Sequence, residues 1–279
     1  MKQVTQILTI AAIIFLNFTA TQAQDRHFAW TYESVTLPKG AIDVEPWFTY
    51  KTGRKHFYNR METRLEFEFG LTDRLQTAFY LNTKHKALAV VDTADNIIGL
   101  DKESEFSISN EWKLNILNPS TSPIGLGLYA EYTLFAHEIE LEGKILLDKK
   151  TEKNTLALNI VGEYEIEYEF EVNKNGEGEI ETAKEVKIEN DLAYMRMFKP
   201  HFGLGLELRN HNVFKDGEME HSALFGGPTL FYSNTKEGGI GFFIIFNVLP
   251  QITNLKGGDA LDLGEYEKLN ARFVLGLSF

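Results

Sequence analysis

At 279 residues with no cysteine, the chain holds no disulfide, no thiolate metal site and no cysteine nucleophile. Its formal charge of −12 excludes the basic, counterion-releasing surface on which nucleic-acid binding depends. With 43% hydrophobic and 24% charged residues, it is too apolar for disorder and too charged for a bundle of membrane helices.

The chain begins Met1-Lys2, runs apolar from Ile7 to Phe18, and reaches Ala20-Thr21-Gln22-Ala23. Small residues at both recognition positions predict cleavage of a secretory signal, residues 1–23, after Ala23. The apolar stretch is about a dozen residues, short of the roughly twenty that span a bilayer. Residues 24–279 then form one domain. Its first part, 24–39, carries alternating Phe28, Trp30 and Tyr32, and three placements stay open for it: a periplasmic tail, a plug inside a lumen, or an addition to a sheet edge.

From there the governing signal is a period of two. Alternating runs fall near 41–51, 58–70, 74–84, 103–117, 124–137, 139–148, 154–171, 183–197, 201–211, 220–232, 239–251 and 265–279. Most exceed the five or six residues usual for a globular strand and reach the roughly nine to eleven that cross a bilayer at a tilt. In the second run Met61, Thr63, Leu65, Phe67 and Phe69 point one way, and Arg60, Glu62, Arg64, Glu66 and Glu68 the other. The seventh reads "GEYEIEYEFEV" from Gly162 to Val172, with Glu163, Glu165, Glu167 and Glu169 on one face and Tyr164, Ile166, Tyr168 and Phe170 on the other. Hydrocarbon tolerates such a strand when its backbone groups pair within a closed barrel and its acids face inward.

The predicted fold class is therefore all-β: a membrane-spanning antiparallel up-and-down β-barrel of about twelve strands. Connectors at Thr72-Asp73, Asn118 to Pro123, Lys149 to Lys153, Phe198 to Pro200 and Ser233 to Glu237 are short or turn-rich. Those at Lys86 to Lys102, Asn173 to Thr182, His211 to Met219 and Ile252 to Gly264 are long and polar, as expected of outer loops. Pro228 and Pro250 each call for a bulge or a strand end. The last strand ends in Phe273, Leu275, Leu277 and Phe279, which resembles the signal read by the barrel-assembly machinery of the bacterial outer membrane.

The same parity assigns the lumen. Its acidic candidates are Glu163, Glu165, Glu167, Glu185, Glu189 and Asp191, joined by Glu131, Glu140 and Glu142. Its basic candidates are Arg60, Arg64, Arg209, Lys268 and Arg272, with Lys84, largely on the other side of the predicted circle. Either the two signs bridge and plug the barrel, or they face each other across water and select solutes by charge. No catalytic, cofactor or metal site is expected. Ser222 follows His221, so the two point to opposite faces and form no nucleophile–base pair. Neither G-x-S-x-G nor H-E-x-x-H occurs. The glutamates lack an EF-hand-type loop that would commit them to calcium.

The expected function is a passive transporter or narrow channel for small solutes, in contact with outer-membrane lipid and the assembly machinery. Alternatives are a plugged barrel acting through its outer loops, a lipid hydrolase, and a soluble β-sandwich or lipocalin-like binder.

Leu37-Pro38-Lys39-Gly40 leading into Glu45, the turn Gly70-Leu71-Thr72-Asp73-Arg74-Leu75, and the final strand from Arg272 to Phe279 resemble a family of outer-membrane transporters named after the MetA pathway of phenol degradation. The resemblance implies a barrel of about twelve strands that passes small compounds, aromatic ones among them, across the outer membrane. It brings no functional residues with it.

Overall fold

A computed structural model describes residues 26–172, 178–234 and 240–279. The predicted signal peptide lies outside them, as do parts of the connectors at Asn173 to Thr182 and Ser233 to Glu237, and the side chains of Glu169 and Phe170. The strands are β1 (Ile42–Thr52), β2 (Tyr58–Thr72), β3 (Leu75–Val91), β4 (Ile97–Leu117), β5 (Gly125–Leu134), β6 (Glu138–Lys150), β7 (Asn154–Val172), β8 (Gly178–Lys199), β9 (Phe202–Lys215), β10 (Glu218–Asn234), β11 (Gly241–Asn254) and β12 (Leu269–Ser278). Each pairs antiparallel with its sequence neighbours, and β12 returns to β1 to close the barrel. Closure removes every edge, so no row of backbone groups is left to face lipid.

The pleat sorts side chains as the alternation requires. Outward positions such as Phe48, Phe79, Phe106, Trp112, Leu206 and Phe246 remain 46–59% exposed, a continuous apolar surface that water would penalise and a bilayer would cover. Phe273, Leu275 and Leu277 stand on the outward side of β12, and the Phe279 amide donates to the Ile42 carbonyl at 2.9 Å, tying the end of the chain to the seam.

One expectation changes. The long polar outer connectors are mostly strand: β3 runs to Val91 and β4 begins at Ile97, while β9 and β10 are joined through Asp216-Gly217, both at positive φ. Pairing continues because a polar outer hairpin satisfies its backbone as well as a loop does, and β8 reaches 22 residues, roughly 70 Å of chain at the usual rise. Among the described residues the longest irregular outer connector is 255–268. Of the two alternatives for Pro228 and Pro250 the strand end falls away, and the β10–β11 register shifts between Leu224 and Phe225, a bulge two residues from Pro250. Both prolines lie where the β10–β11 ladder skips from Phe225↔Gln251 to Thr229↔Asn247, the pairing gap that two residues without an amide proton impose. A Cβ at the adjoining Gly227 would collide with the Val248 carbonyl.

The core is inside the barrel. At the end holding the short turns and both barrel termini, inward Leu146, Ala157, Met195, Phe231, Ile245 and Val274 pack around Phe28, Ala29 and Trp30 of the N-terminal segment.

Candidate functional site

The segment from Arg26 to Leu37 lies within the lumen, buried almost throughout. Its backbone makes no sheet, so its polar groups need partners from the wall, and eight strands among the described residues supply them, β12 through Arg272. The Glu207 carboxylate accepts from the amides of Ala29, Trp30 and Thr31 at 2.9, 2.9 and 3.0 Å. Asn159 receives the Tyr32 amide at 2.6 Å and donates to its carbonyl at 2.9 Å. The Ser34 amide donates to Asp148 at 3.0 Å, Asn115 donates to the Ser34 carbonyl at 2.8 Å, and the Leu37 amide donates to Gln76 at 2.9 Å. Trp30 Nε1 donates to Asn247 at 3.0 Å, and Arg26 pairs with Glu45 at 3.1 Å while lying over Trp47.

The plug leaves the lumen through a collar built by two stretches that stand apart in sequence. Gly40 donates to the Gly70 carbonyl at 2.8 Å, and the Lys39 amide donates to Asp73 at 3.2 Å. Gly40 adopts φ +84°, and a Cβ at Gly70 would strike the Pro38 carbonyl. Glycine at both positions is therefore a requirement of the chain's exit.

Above the plug, toward the long hairpins, the lumen opens into a polar cavity of about 370 Å³ floored by Trp30, Tyr32 and Trp47. Its charge is segregated. The wall from β12 through β1 and β2, with the connectors at its rim, presents Lys51, Arg54, Arg60, Arg64 and Arg272 against Glu62, Glu265 and Glu267. The opposite wall, β6 to β8, presents Glu140, Glu142, Glu163, Glu189 and Asp191 against Lys144 and Lys187. Fixed charges of opposite sign on facing walls set up a field across the cavity.

Of the residues that sequence parity assigns to the lumen, Arg60, Arg64, Arg209, Arg272, Glu163, Glu189 and Asp191 line this cavity. Glu165 and Glu185 gather with Glu163 around Lys187, whose Nζ is 3.0 Å from Glu163 and 3.6 Å from Glu185. Glu167 stands further out, 3.8 Å from His137. Lys268 is a correction: it precedes β12, is exposed, and its backbone amide pairs with Gly53 at the rim, while the buried neighbour Glu267 lines the cavity. Parity fails there because the pleat begins only at Leu269. Arg209 lines the cavity as parity assigns, from the acidic side, bonding Glu189 and lying 3.3 Å from Asp191 on the adjacent β8.

Lys187 was legible, since the period that selects Glu185 and Glu189 passes through it. Glu207 and the plug contacts were not, because nothing local marks a carboxylate as the partner of a segment 178 residues away. Hard-oxygen clusters of the kind that could hold calcium or magnesium occur at Asp43, Glu45 and Glu68, at Glu66, Glu68 and Glu111, and at Glu138, Glu140 and Glu165, each with one oxygen per residue within 4.8 Å of the others.

A family model described as a family of unknown function, DUF6662, matches residues 20–279. No curated protein matches by sequence. Among solved structures, the COG4313 outer membrane channel from Pseudomonas putida F1 is similar at TM-score 0.51 and 14% identity, over 92% of this chain and 98% of that one. The beta domain of the Bordetella autotransporter BrkA is similar at TM-score 0.55 and 9% identity, over 86% and 99%. Both likenesses are of fold.

Proposed function

We propose that this chain, which belongs to the DUF6662 family, is a passive transporter of the bacterial outer membrane. Small polar solutes would enter it from the charge-segregated outer cavity, and its own N-terminal segment would close it on the periplasmic side. The observation that carries the reading is the abrupt division of one lumen into an open polar cavity and a buried plug hydrogen-bonded to the wall. A barrel serving only as scaffold has no need of an open polar vestibule. A barrel acting through outer loops would need loop surface, and the described hairpins other than 255–268 are tight.

The apolar outer belt and the closing strand with Phe273, Leu275, Leu277 and Phe279 support the outer membrane as its location and the assembly machinery as its partner in insertion. Two of the three stretches that resemble the phenol-pathway transporters form the collar at the plug's exit. Shared plug anchoring is therefore what this reading takes from that resemblance.

The experiment is ion conductance of refolded protein in a planar bilayer with the plug locked and released. A Cβ at Gly127 would lie 3.2 Å from the Ser34 Cβ, close to disulfide spacing, and the chain has no other cysteine. The Ser34→Cys/Gly127→Cys protein should be silent when oxidised and show openings when reduced. A chain lacking 26–36 should conduct continuously. If that shortened chain folds and stays silent, transport through the lumen is wrong.

A further inference from the structure

Nine lysines and arginines line the outer cavity, and seven of them are in ion-pair contact with a carboxylate. Of the other two, Arg54 is at the rim, stacked over Tyr58. Arg272 is on the floor. Its Nε donates to Thr49 Oγ1 at 2.9 Å and its Nη1 to the Ala29 carbonyl at 3.1 Å. Its guanidinium carbon lies 3.2 Å from the Trp30 ring centroid and 5.1 Å from that of Trp47. None of these partners is negative, and Arg209 flanks the other side of Trp30 at 3.7 Å.

A guanidinium with no carboxylate in contact, its nearest acidic influence being Glu62 on the same wall, can still attract an anion at the dead end of a cavity walled by protein. The second use of the same group is mechanical. Arg272 holds the tip of the plug through Ala29, and a carboxylate binds arginine best as a fork across two nitrogens. With Nε engaged by Thr49, the fork available to a ligand is Nη1 with Nη2, so a bound carboxylate competes with the Ala29 carbonyl for Nη1.

We propose that Arg272 is the recognition point for a small organic carboxylate entering from the outside, and that binding there loosens the plug. The proposal rests on the transporter reading above and specifies what that transporter takes and how it opens.

The test uses benzoate as probe and benzyl alcohol as its uncharged counterpart, added to refolded full chain in detergent. Trp112 faces outward, so Trp112→Phe leaves Trp30 and Trp47 as the fluorescent reporters. Benzoate should perturb them saturably and benzyl alcohol should not. Arg272→Gln should weaken benzoate at least tenfold, Arg272→Lys less, and Arg74→Gln in the exposed periplasmic turn not at all. Folding of each variant is checked by the heat-dependent gel shift typical of barrels. In bilayers, benzoate should raise the open fraction of the full chain severalfold.

Unchanged benzoate affinity in folded Arg272→Gln overturns the site, and binding without any rise in opening overturns the release. The two readings fail separately. A plug-deleted barrel that conducts beside a full chain blind to benzoate removes this site and leaves transport. Benzoate binding beside a silent plug-deleted barrel removes transport, and the opening role with it.

Discussion

Along β6 to β8 and β10 to β12 the two halves of the lumen are built at the same parity, yet they hold opposite chemistries, whereas β1 to β4 keep carboxylates such as Glu45, Glu66, Glu68 and Glu111 buried in the same inner half. Toward the end holding the short turns, inward positions of β6 to β8 are Leu146, Ala157 and Met195, and those of β10 to β12 are Phe231, Ile245 and Val274, all below 6% exposure. A few residues further along, β6 to β9 and β12 present Glu140, Glu163, Lys187, Glu189, His211 and Arg272 to water. What separates the halves is the N-terminal segment. Apolar side chains facing a lumen are stable only when something dry covers them, and Phe28 and Trp30 do so. Parity tells a side chain which way to point, and the occupant of the lumen tells it whether pointing inward means burial or solvation.

The sharpest way to break this contrast is at Glu207. Replacing it by alanine leaves three buried amides of the plug tip without their acceptor, at roughly 1–3 kcal/mol for each orphaned donor. Glu207→Ala is expected to destabilise the plug by about 3–5 kcal/mol, read as faster hydrogen exchange at Ala29, Trp30 and Thr31. Unchanged protection there would mean that the plug is held by packing alone.

The outer half should respond differently to a loss of comparable chemistry. Lys187 is the cation at the centre of the glutamate group, but its surroundings are wet, so Lys187→Gln should shift unfolding by about 1 kcal/mol or less. Its effect belongs to selectivity. In a barrel lacking residues 26–36, reversal potentials should show a stronger preference for cations than with Lys187 present, and an unchanged preference would take these glutamates off the ion path.

The smallest effect is at the outermost rim. Asp95 Oδ2 lies 3.2 Å from Lys55 and Oδ1 lies 3.0 Å from His56, joining the β1–β2 turn to the β3–β4 turn. The hydrogen bond from Lys55 holds the Asp95 carboxyl below its ordinary range. A depressed carboxyl contributes stability above its unfolded pKa of about 3.9, and that contribution is lost as pH falls through the folded value. Between pH 5 and pH 2.5, protection factors corrected for intrinsic exchange should fall at residues 53–57 and 92–96 while the plug amides stay protected. Release of the plug over the same interval would instead couple the rim to the gate.

Much of the barrel was legible in the chain. Twelve alternating runs correspond to twelve strands, although the outer hairpins were read as loops because polar residues above a membrane alternate less visibly than apolar ones within it. The inward glutamates of β7 and arginines of β2 were equally legible, whereas Lys268 was lost to a strand start four residues later than expected. The plug was visible only as aromatic residues at alternate positions, compatible with three placements.

By itself, then, the sequence determined that this chain forms a closed β-surface with an apolar outside and a charged inside, because the pleat is local and its period of two is written residue by residue. Only the tertiary structure decided that Arg26 to Leu37 fill one end of the lumen and that Arg272 meets Ala29 across 243 residues of chain. Those contacts depend on barrel closure, which brings all twelve walls around one segment, and no local pattern encodes which wall a given side chain will face.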